Sequence, residues 1–327
     1  MSTVISETER PSFKIAPRTL VDWLCAIAVV LVAGLTVARH FAFEVGPMAW
    51  LIAFTPYLGL VAVALAATAL ATRVVPVAAL AVGCALLQMS WLVPLFVANS
   101  EAPAEGKALT VMTSNILFGR GDATAVVNLV RENNVDLLAV QELTPDAAIR
   151  LRDAGLNETL RYRWLDATSA GMGIWSRYPL AQLPDGSRVN WPAIGRQVSI
   201  PGLPISFLVV HPAAPLSPDH AQWTRDQPLL RDALSSVPGP VVVAGDFNAT
   251  LDHGIMRTLQ SDGFIDAAEA VGAGLNATWP NASRSPIPLF AIDHVMHRDV
   301  DIAPASVQNV VVPGSDHRAV VVTYRWN

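Results

Sequence analysis

The chain has 327 residues, a formal net charge of −5 and a mean hydropathy of +0.39, with 52% apolar and only 15% charged residues. This composition excludes a single ordinary soluble domain, in which about 25% of the residues are charged. Because the apolar excess is concentrated in the first third of the chain, the sequence predicts two regions of different kinds.

Three apolar stretches fill the first region: Leu20–Val37, Pro47–Thr72 and Val74–Asn99. Each is about 20 residues or longer, enough to cross a hydrocarbon core of about 30 Å. A cleaved signal peptide is disfavoured for the first stretch, because two more spans follow and no clean small-residue cleavage site precedes them. A soluble helical domain is disfavoured because the second and third stretches have no polar face.

The sequence thus predicts four segments: an N-terminal tail at 1–18, three transmembrane helices within 19–99, a linker at 100–107 and a domain at 108–327. Basic residues indicate the orientation, since they are enriched on the cytoplasmic side of a membrane. On one side of the membrane, Arg10, Lys14 and Arg18 precede the first span and Arg73 separates the second span from the third. On the other side there are only two basic residues, Arg39 between the first and second spans and Lys107 after the third. We therefore predict an integral protein of a bacterial inner or cell membrane, anchored in the lipid bilayer, with its C-terminal domain outside the cytoplasm.

The C-terminal domain alternates strand-like and helical patterns, which predicts a layered α/β fold. The strand-like runs are Ala108–Met112, Val135–Val140, Gly171–Trp175, Ile205–Val210, Pro240–Ala244, Leu289–Met296, Val307–Val312 and Ala319–Tyr324, and the helical ones are Ala123–Asn133, Pro145–Ala154 and Asp219–Leu234. Both cysteines, Cys25 and Cys84, fall within predicted spans, so this domain has neither a disulfide nor a thiol nucleophile. Its 16 Arg, no Lys and 21 acidic residues do not indicate the basic surface of a protein that grips many nucleic-acid phosphates.

Polar side chains recur just outside the apolar strands of this domain. They are Asn115, Glu142, His211, Asp246 with Asn248, Asp293, and Asp316 with His317. Taken singly, each has a structural explanation: a turn residue, a charge at a helix N-terminus, an Asx turn, a turn cap or a structural histidine. Taken together, they predict a functional site at one edge of a sheet. His220, His253 and His297 have no comparable setting and are interpreted as surface or packing residues.

The stretch VVVAGDFNAT at 241–250 suggests the chemistry of this site. On an extended strand, Asp246 and Asn248 would point to the same face because side chains alternate. A carboxylate can take a proton from water, and a nearby carboxamide can orient that water or donate to a phosphate oxygen. The pair therefore suits the attack of water on phosphorus.

Seven motifs occur in the order seen in the endonuclease/exonuclease/phosphatase superfamily: TSNILFG, VQEL, GIWSRYPL, VVHP, GDFNAT, AIDHVM and SDHRAV. The chain resembles that family from about Ala108 to Arg325. The resemblance implies a four-layer α/β sandwich, with two packed mixed sheets flanked by helices. It also implies hydrolysis of phosphoester bonds assisted by a divalent metal, Mg²⁺ or Mn²⁺.

The resemblance assigns roles to the polar residues. Glu142 is the expected main metal ligand, with Asn115 nearby and Asp316 as a further contact. Asp246 would orient or deprotonate the attacking water, Asn248 would hold the scissile phosphate, His317 would stabilise charge on phosphorus, Asp293 would fix the His317 ring, and His211 would assist the leaving oxygen. Arg196 and Arg318 are candidate phosphate contacts. His211 is reached through VVHP rather than the family's common Thr-His pairing, which leaves its role less defined.

Several functions fit these observations. The substrate of a membrane-anchored phosphodiesterase could be nucleic acid outside the cytoplasm or the headgroup of a phospholipid or sphingolipid. A non-catalytic membrane binding protein on the same fold is disfavoured because Glu142, Asp246, Asn248 and His317 are all present. A transporter is disfavoured because the second and third spans contain no charged residue.

Overall fold

The computed structural model describes residues 19–168, 171–187, 189–215, 220–281 and 287–327. The predicted tail at 1–18 lies outside this part of the chain. Two structural regions follow one another: a bundle of apolar helices up to Phe96, and a larger α/β region that begins at Lys107.

The N-terminal region contains α1 (Leu20–His40), α2 (Pro47–Ile52), α3 (Thr55–Ala71) and α4 (Val75–Leu92), the last continued by a 3₁₀ turn at Val93–Phe96. By length and composition, two helices within the described residues could cross a membrane: Leu20–His40 and Val75–Phe96. The prediction of three full-length spans is therefore corrected, because the stretch Pro47–Thr72 is divided into a short helix and a second helix of 17 residues.

Pro56 accounts for this division. Proline has no backbone N–H and its ring clashes with the carbonyl four residues earlier, so it kinks or ends a helix. Here the carbonyl of Ile52 accepts a hydrogen bond of 2.7 Å from the hydroxyl of Thr55 instead. Pro56 then occupies the first turn of α3, where its missing N–H is harmless.

Small residues fill the inside of the helical bundle, while large apolar residues face outwards. The buried positions include Ala62, Ala66, Ala69, Ala78, Ala81 and Ala85, together with Cys25 and Cys84. Leu31 and Leu86 are 64% and 69% exposed. This is the packing expected where close helix approach, rather than burial of large apolar side chains, brings helices together.

The α/β region consists of two six-stranded sheets. The strands are β1 (Lys107–Asn115), β2 (Leu137–Gln141), β3 (Tyr162–Asp166), β4 (Met172–Ser176), β5 (Leu180–Ala181), β6 (Ala193–Ile200), β7 (Leu203–Val210), β8 (Val241–Asp246), β9 (Ile265–Asp266), β10 (Asp293–Arg298), β11 (Ala303–Val311) and β12 (Arg318–Trp326). The order in the first sheet is β11–β12–β1–β2–β4–β3 and in the second β5–β6–β7–β8–β10–β9. The helices are α5 (Ala123–Glu132), α6 (Pro145–Asp153), α7 (Leu156–Thr159), α8 (His220–Ser235), α9 (Gly254–Ser261) and α10 (Ala267–Ala270).

The two sheets pack face to face with helices outside them, which confirms the predicted four-layer sandwich. Side chains such as Val111 and Phe207 form the core between the sheets. Helices α5, α6 and α7 cover the first sheet, with Val126 among the buried contacts. Helices α8 and α9 cover the second sheet around Leu230 and Met256.

The strand boundaries differ from the prediction in two places. The run Leu289–Met296 becomes a strand only from Asp293, because residues 289–292 form loop contacts and a single bridge, Trp279 to Phe290. Four strands were not predicted: β5 and β9, which have two residues each, and the longer strands β3 and β6. The burial of β3 and β6 does not follow a clear apolar alternation, since β3 is an exposed edge strand and β6 carries Gly195 and Arg196 in its middle.

The topology brings the predicted site residues to one edge of the sandwich. Strands β1 and β2 are parallel, as are β7 and β8, so their C-terminal ends lie side by side. Strand β12 is antiparallel to β1 and strand β10 to β8, so these two strands begin at the same edge. Asp293 and Asp246 are direct partners across β10 and β8.

Candidate active site

Asp293, His317 and Asp246 form a chain of buried polar contacts at this edge. The Nδ1 atom of His317 lies 2.9 Å from Oδ2 of Asp293, and its Nε2 lies 3.7 Å from Oδ2 of Asp246. All three side chains are at most 5% exposed. The backbone N–H of His317 donates to the Ser315 hydroxyl, which itself donates to the Asn115 carbonyl. The imidazole is therefore held with its Nε2 directed at Asp246.

The charges of this group are strongly coupled. Burial lowers the pKa of His317, but the carboxylates of Asp293 and Asp246 outweigh this effect and raise the pKa to about 10. Burial raises the pKa of Asp246 to about 6, against the opposing influence of His317. At neutral pH the site therefore contains an imidazolium beside an ionised Asp246, which is a proton acceptor placed next to a cationic hydrogen-bond donor.

Glu142 lies at the opposite side of Asp246. Its Oε1 accepts a hydrogen bond of 2.9 Å from Nδ2 of Asn115, and its Oε2 accepts one of 2.7 Å from the backbone of Phe118. Asn115 Nδ2 also donates to Oδ2 of Asp246, at 2.9 Å. The amide of Asn115 thus bridges two carboxylates, while its oxygen accepts from the backbone of Leu117. In this arrangement Asn115 presents nitrogen rather than oxygen to the site.

His211 completes the group from the second sheet. Its Nε2 lies 3.8 Å from both Oε1 of Glu142 and Oδ2 of Asp246. The loop that follows it is fixed by buried Asp226, which accepts hydrogen bonds from the Ala213 backbone and the Trp191 indole. No sequence motif singles out Asp226, because its contribution depends on the fold of this loop.

The side chain of Asn248 is oriented by a turn, and not by an extended strand as the sequence predicted. Strand β8 ends at Asp246, and Asn248 has a φ of 48°, so the two side chains do not share one face of an extended strand. The Asn248 backbone instead donates to Oδ1 of Asp246 at 2.8 Å, which is an Asx turn. The side-chain Nδ2 donates to the Pro212 carbonyl at 2.9 Å, so one N–H of the amide remains to meet a ligand.

Asp316 also lines this edge and is 4% exposed. Its Oδ1 is 3.9 Å from Nε2 of His317, and its Oδ2 accepts a hydrogen bond of 3.3 Å from the indole of Trp279. The eight residues selected from the sequence therefore surround one cavity of about 480 Å³ or support those that do. Arg196 does not belong to this group, because its guanidinium lies over the ring of Trp164 at 3.4 Å.

The donors of this cavity fit a divalent cation. Glu142, Asp246 and Asp316 offer carboxylate oxygens, the ligands that hard cations prefer. No Lys or Arg is among the described residues that line the cavity, so protein cations other than histidine do not balance these charges. A second arrangement consists of Asp246, Asp293 and His317, whose ligand atoms lie within 4.8 Å of one another. That arrangement is less suitable, because His317 and Asp293 already share a hydrogen bond.

Several residues of the cavity were not selected from the sequence. Trp50 and Ala53 come from the helical region, and Trp191, Trp279 and Phe290 come from loops of the α/β region. His253 was interpreted as a surface or packing residue. It is buried, and its Nε2 lies 2.7 Å from the Ala49 carbonyl.

Residues 112–317 match the family model described as Endonuclease/Exonuclease/phosphatase family. The chain belongs to this family, whose members hydrolyse phosphoester bonds and generally depend on a divalent metal. The chain is therefore a phosphoester hydrolase by family, as the sequence motifs predicted.

Solved structures with the same fold share little sequence with this chain. A humanized TDP2 from D. rerio superposes with a TM-score of 0.56 at 15% identity, covering 67% of this chain and 99% of the other. An endonuclease/exonuclease/phosphatase from Beutenbergia cavernae gives 0.52 at 20% identity, covering 68% and 72%. The 3′-5′ exonuclease NExo from Neisseria meningitidis gives 0.52 at 20% identity, covering 67% and 100%. A search of curated protein sequences found no significant match.

Proposed function

We propose that this protein is a membrane-anchored phosphoester hydrolase that depends on Mg²⁺ or Mn²⁺, with residues 108–327 as its catalytic domain. The convergence of Asp246, Glu142, Asp316 and His317 on one cavity, with Asp293 fixing the histidine, is the observation that carries this proposal. Phosphodiester cleavage requires a proton acceptor for water and positive charge at the phosphoryl oxygens, and this group supplies both.

Asp246 is the proposed proton acceptor. Its Oδ1 is held by the Asn248 backbone and its Oδ2 by Asn115, so the carboxylate has a fixed direction towards the cavity. With a pKa of about 6, Asp246 is ionised at neutral pH and remains basic enough to accept a proton from water.

His317 and Asn248 are the proposed phosphate contacts. The imidazolium of His317 donates from Nε2, and Asp293 holds the other ring nitrogen. The remaining amide N–H of Asn248 donates from the side of the Pro212 loop. His211 faces the same carboxylates from that loop and is placed to protonate the departing oxygen.

Glu142 and Asp316 are the proposed metal ligands, and Asn115 holds the Glu142 carboxylate in place through its Nδ2. A bound divalent cation would supply positive charge at the phosphoryl oxygen and would lower the pKa of water near Asp246.

The experiment for this proposal uses the full chain in detergent with bis(p-nitrophenyl) phosphate, a small soluble phosphodiester. We expect hydrolysis with Mg²⁺ or Mn²⁺ and none in excess chelator. Asp246→Asn keeps the shape of the side chain and should lower kcat by about 10²–10⁴-fold, because it removes the base. Asp299→Asn, the same change at an exposed position, is the matched control. Metal-independent hydrolysis, or a fully active Asp246→Asn variant, would contradict the proposal.

Membrane anchoring is supported by the outward-facing leucines of the bundle and by where the helices end. The C-terminal ends of α1 and α4 contact the α/β region through Arg257 and Gly274, whereas the turn at Arg73 lies at the other end of the bundle. If the shorter helix α3 crosses the bilayer together with α1 and α4, Arg73 and the α/β region lie on opposite sides, which is the orientation that the basic residues favour.

Cysteine labelling in intact bacterial cells tests this orientation. Cys25 and Cys84 are buried, so cysteines introduced at exposed positions should dominate the reaction. An impermeant maleimide should label Asp299→Cys but not Arg73→Cys until the cells are opened. The reverse pattern would overturn the orientation, and labelling of both positions in a soluble fraction would overturn the anchor.

A further inference from the structure

The cavity of the active site has walls of two kinds. Its polar side carries the residues proposed for catalysis. Its remaining wall is aromatic and aliphatic, with Trp50, Trp191, Trp279, Phe290 and Ile292. A phosphoester bound at the polar side would therefore have an apolar surface within reach of one of its substituents.

Helix α2 and the residue after it supply part of this wall. Trp50 and Ala53 lie well before residues 112–317, the segment that matches the family. They are therefore an addition to the family fold rather than part of it. They also lie on the connection between α1 and α3, so the cavity is at the end of the apolar helical bundle.

Direct contacts hold this connection against the α/β region. Ala49 accepts a hydrogen bond of 2.7 Å from Nε2 of His253, which is itself fixed by Thr250. The Phe54 ring packs perpendicular to Phe290, with centroids 4.8 Å apart. The Tyr57 hydroxyl donates to the Leu289 carbonyl at 2.7 Å.

Further contacts anchor the segment between α1 and α2. Glu44 accepts a hydrogen bond of 2.6 Å from the backbone of Gly254, and the backbone of Gly46 donates to Nε2 of His220 at 2.9 Å. Trp50 and Ala53 are thus positioned by bonds on both sides of α2. They form a fixed wall of the site, and not a tether that happens to lie near it.

The charge of the site disfavours a polyanionic substrate. The described residues of the cavity wall include no Lys or Arg, and residues 108–327 carry 16 Arg, no Lys and 21 acidic side chains. Binding of nucleic acid depends on several cations that neutralise successive phosphates. A substrate with one phosphoester and a large apolar substituent needs one polar subsite and one apolar wall, and this cavity has both.

We propose that α2 is part of the substrate site and that Trp50 and Ala53 contact the apolar portion of a lipid phosphoester drawn from the adjacent bilayer. This inference rests on the proposed function. It adds two residues outside the family fold to the binding site and names the substrate class. A glycerophospholipid would place its phosphodiester at Asp246 and His317, while the first part of its acyl chains would lie against Trp50 and Phe290.

The test compares three substrates with the full-length protein and Mg²⁺: vesicles of mixed phosphatidylcholine, phosphatidylethanolamine and phosphatidylglycerol containing the reconstituted protein, supercoiled plasmid DNA, and bis(p-nitrophenyl) phosphate. We expect phosphorus NMR to show release of the phosphorylated headgroup from the vesicles, because water forms the new bond to phosphorus while the bond from phosphorus to the diacylglycerol oxygen breaks and that oxygen takes up a proton. The plasmid should not be nicked. Asp246→Asn should abolish hydrolysis of both the lipid and the soluble diester.

Two variants change the apolar wall in opposite ways. Trp50→Ala removes a large contact, and Ala53→Leu fills part of the cavity. Each should lower kcat/KM for the lipid about tenfold more than kcat/KM for the soluble diester. Trp164→Ala is the matched control, since Trp164 is 45% exposed and lies outside the cavity. Melting curves from tryptophan fluorescence identify any variant that does not fold. If one of the two wall variants does not fold, the kinetics of the other wall variant test the proposal.

The outcomes separate the two proposals. Nicking of the plasmid with a higher kcat/KM than lipid hydrolysis overturns the inference but leaves the proposed function standing. Hydrolysis of the soluble diester alone, or equal effects of the wall variants on lipid and soluble diester, overturns it as well. Failure to hydrolyse any of the three substrates, or full activity of Asp246→Asn, refutes the proposed function itself.

Discussion

His297 should make the folded state less stable in mild acid. The side chain lies on β10, is 4% exposed and packs edge-on against the ring of Tyr324, with centroids 5.2 Å apart. Its Nδ1 has no hydrogen-bond partner within the described part of the chain. A proton on this ring would therefore be a buried charge with no hydrogen-bond acceptor at Nδ1. Burial lowers the pKa of His297 to about 4, although the Asp266 carboxylate opposes the shift.

The sign and the size of the effect follow from proton linkage. As the pH falls below 6.5, the unfolded chain takes up a proton on His297, but the folded chain does not until the pH approaches about 4. Protonation therefore favours the unfolded state in this interval, by about 2 kcal/mol between pH 7 and pH 5. A domain of this size changes its Tm by about 2–4 °C per kcal/mol, so His297 alone should lower the Tm by about 4–8 °C.

The measurement compares melting of wild type and His297→Gln, as full-length protein in detergent, at a series of pH values from 8 to 5. Other titrating groups act in both proteins, so the difference between the two curves isolates the histidine. The difference at pH 8 gives the packing lost in the variant, because neither state is protonated there. We expect the variant to lose less stability than wild type on acidification. Parallel curves for the two proteins would refute the assigned pKa and its cause.

Two further predictions concern the Asp293–His317 pair and the link between the helices and the α/β region. Asp293→Asn should lower kcat about 10²-fold with little change in KM, because the ring of His317 loses the carboxylate that orients it; steady-state kinetics on the soluble diester checks this, and a wild-type kcat would contradict it. Arg39→Ala should destabilise the fold by about 3–5 kcal/mol, because Asp252, whose pKa burial raises, loses the ion pair of 2.9 Å. In melting experiments in detergent, the double variant Arg39→Ala with Asp252→Asn should be more stable than Arg39→Ala alone. Equal or lower stability of the double variant would rule out an unpaired buried charge as the cause.

The sequence grouped the polar residues of this edge because each of them lies within a strand or no more than two residues from one. Glu142 and His211 directly follow β2 and β7, and His317 directly precedes β12. In a layered α/β fold the ends of neighbouring strands meet at one edge, so positions along the chain are enough to group such residues. Their individual roles are proposals, since the geometry fits those roles without testing them.

The conformation of Asn248 could not be predicted in the same way. Alternation along an extended strand holds only while the strand continues, and β8 ends at Asp246. The positive φ of Asn248 and the Asx turn that holds it are local features that Asn and Asp commonly adopt. The Asp-x-Asn spacing is compatible with either geometry, so the sequence did not decide between them.

The division of the second apolar stretch had a signal that hydropathy does not measure. Pro56 lies inside the stretch, and proline weakens a helix at that point by removing one backbone hydrogen bond, which hydropathy does not register. A helix of 17 residues rises about 26 Å, slightly less than a hydrocarbon core of about 30 Å. The residues before Thr55 are not part of this longer helix, and residues 47–52 form the separate helix α2.

The separation of α2 from α3 connects the apolar helical bundle to the candidate active site. If Pro47–Thr72 were one continuous helix, Trp50 would be a residue of a transmembrane span, and the family fold would have to form the cavity wall alone. The hydrogen bond between His253 and Ala49 joins residues 204 positions apart, so no local pattern could have revealed this contact. A tether would need only the short polar linker before β1, whereas this chain also fixes α2 through His220, His253 and Phe290. Ordering these groups costs conformational entropy. A role of α2 in the substrate cavity accounts for these contacts, whereas anchoring alone would not require them.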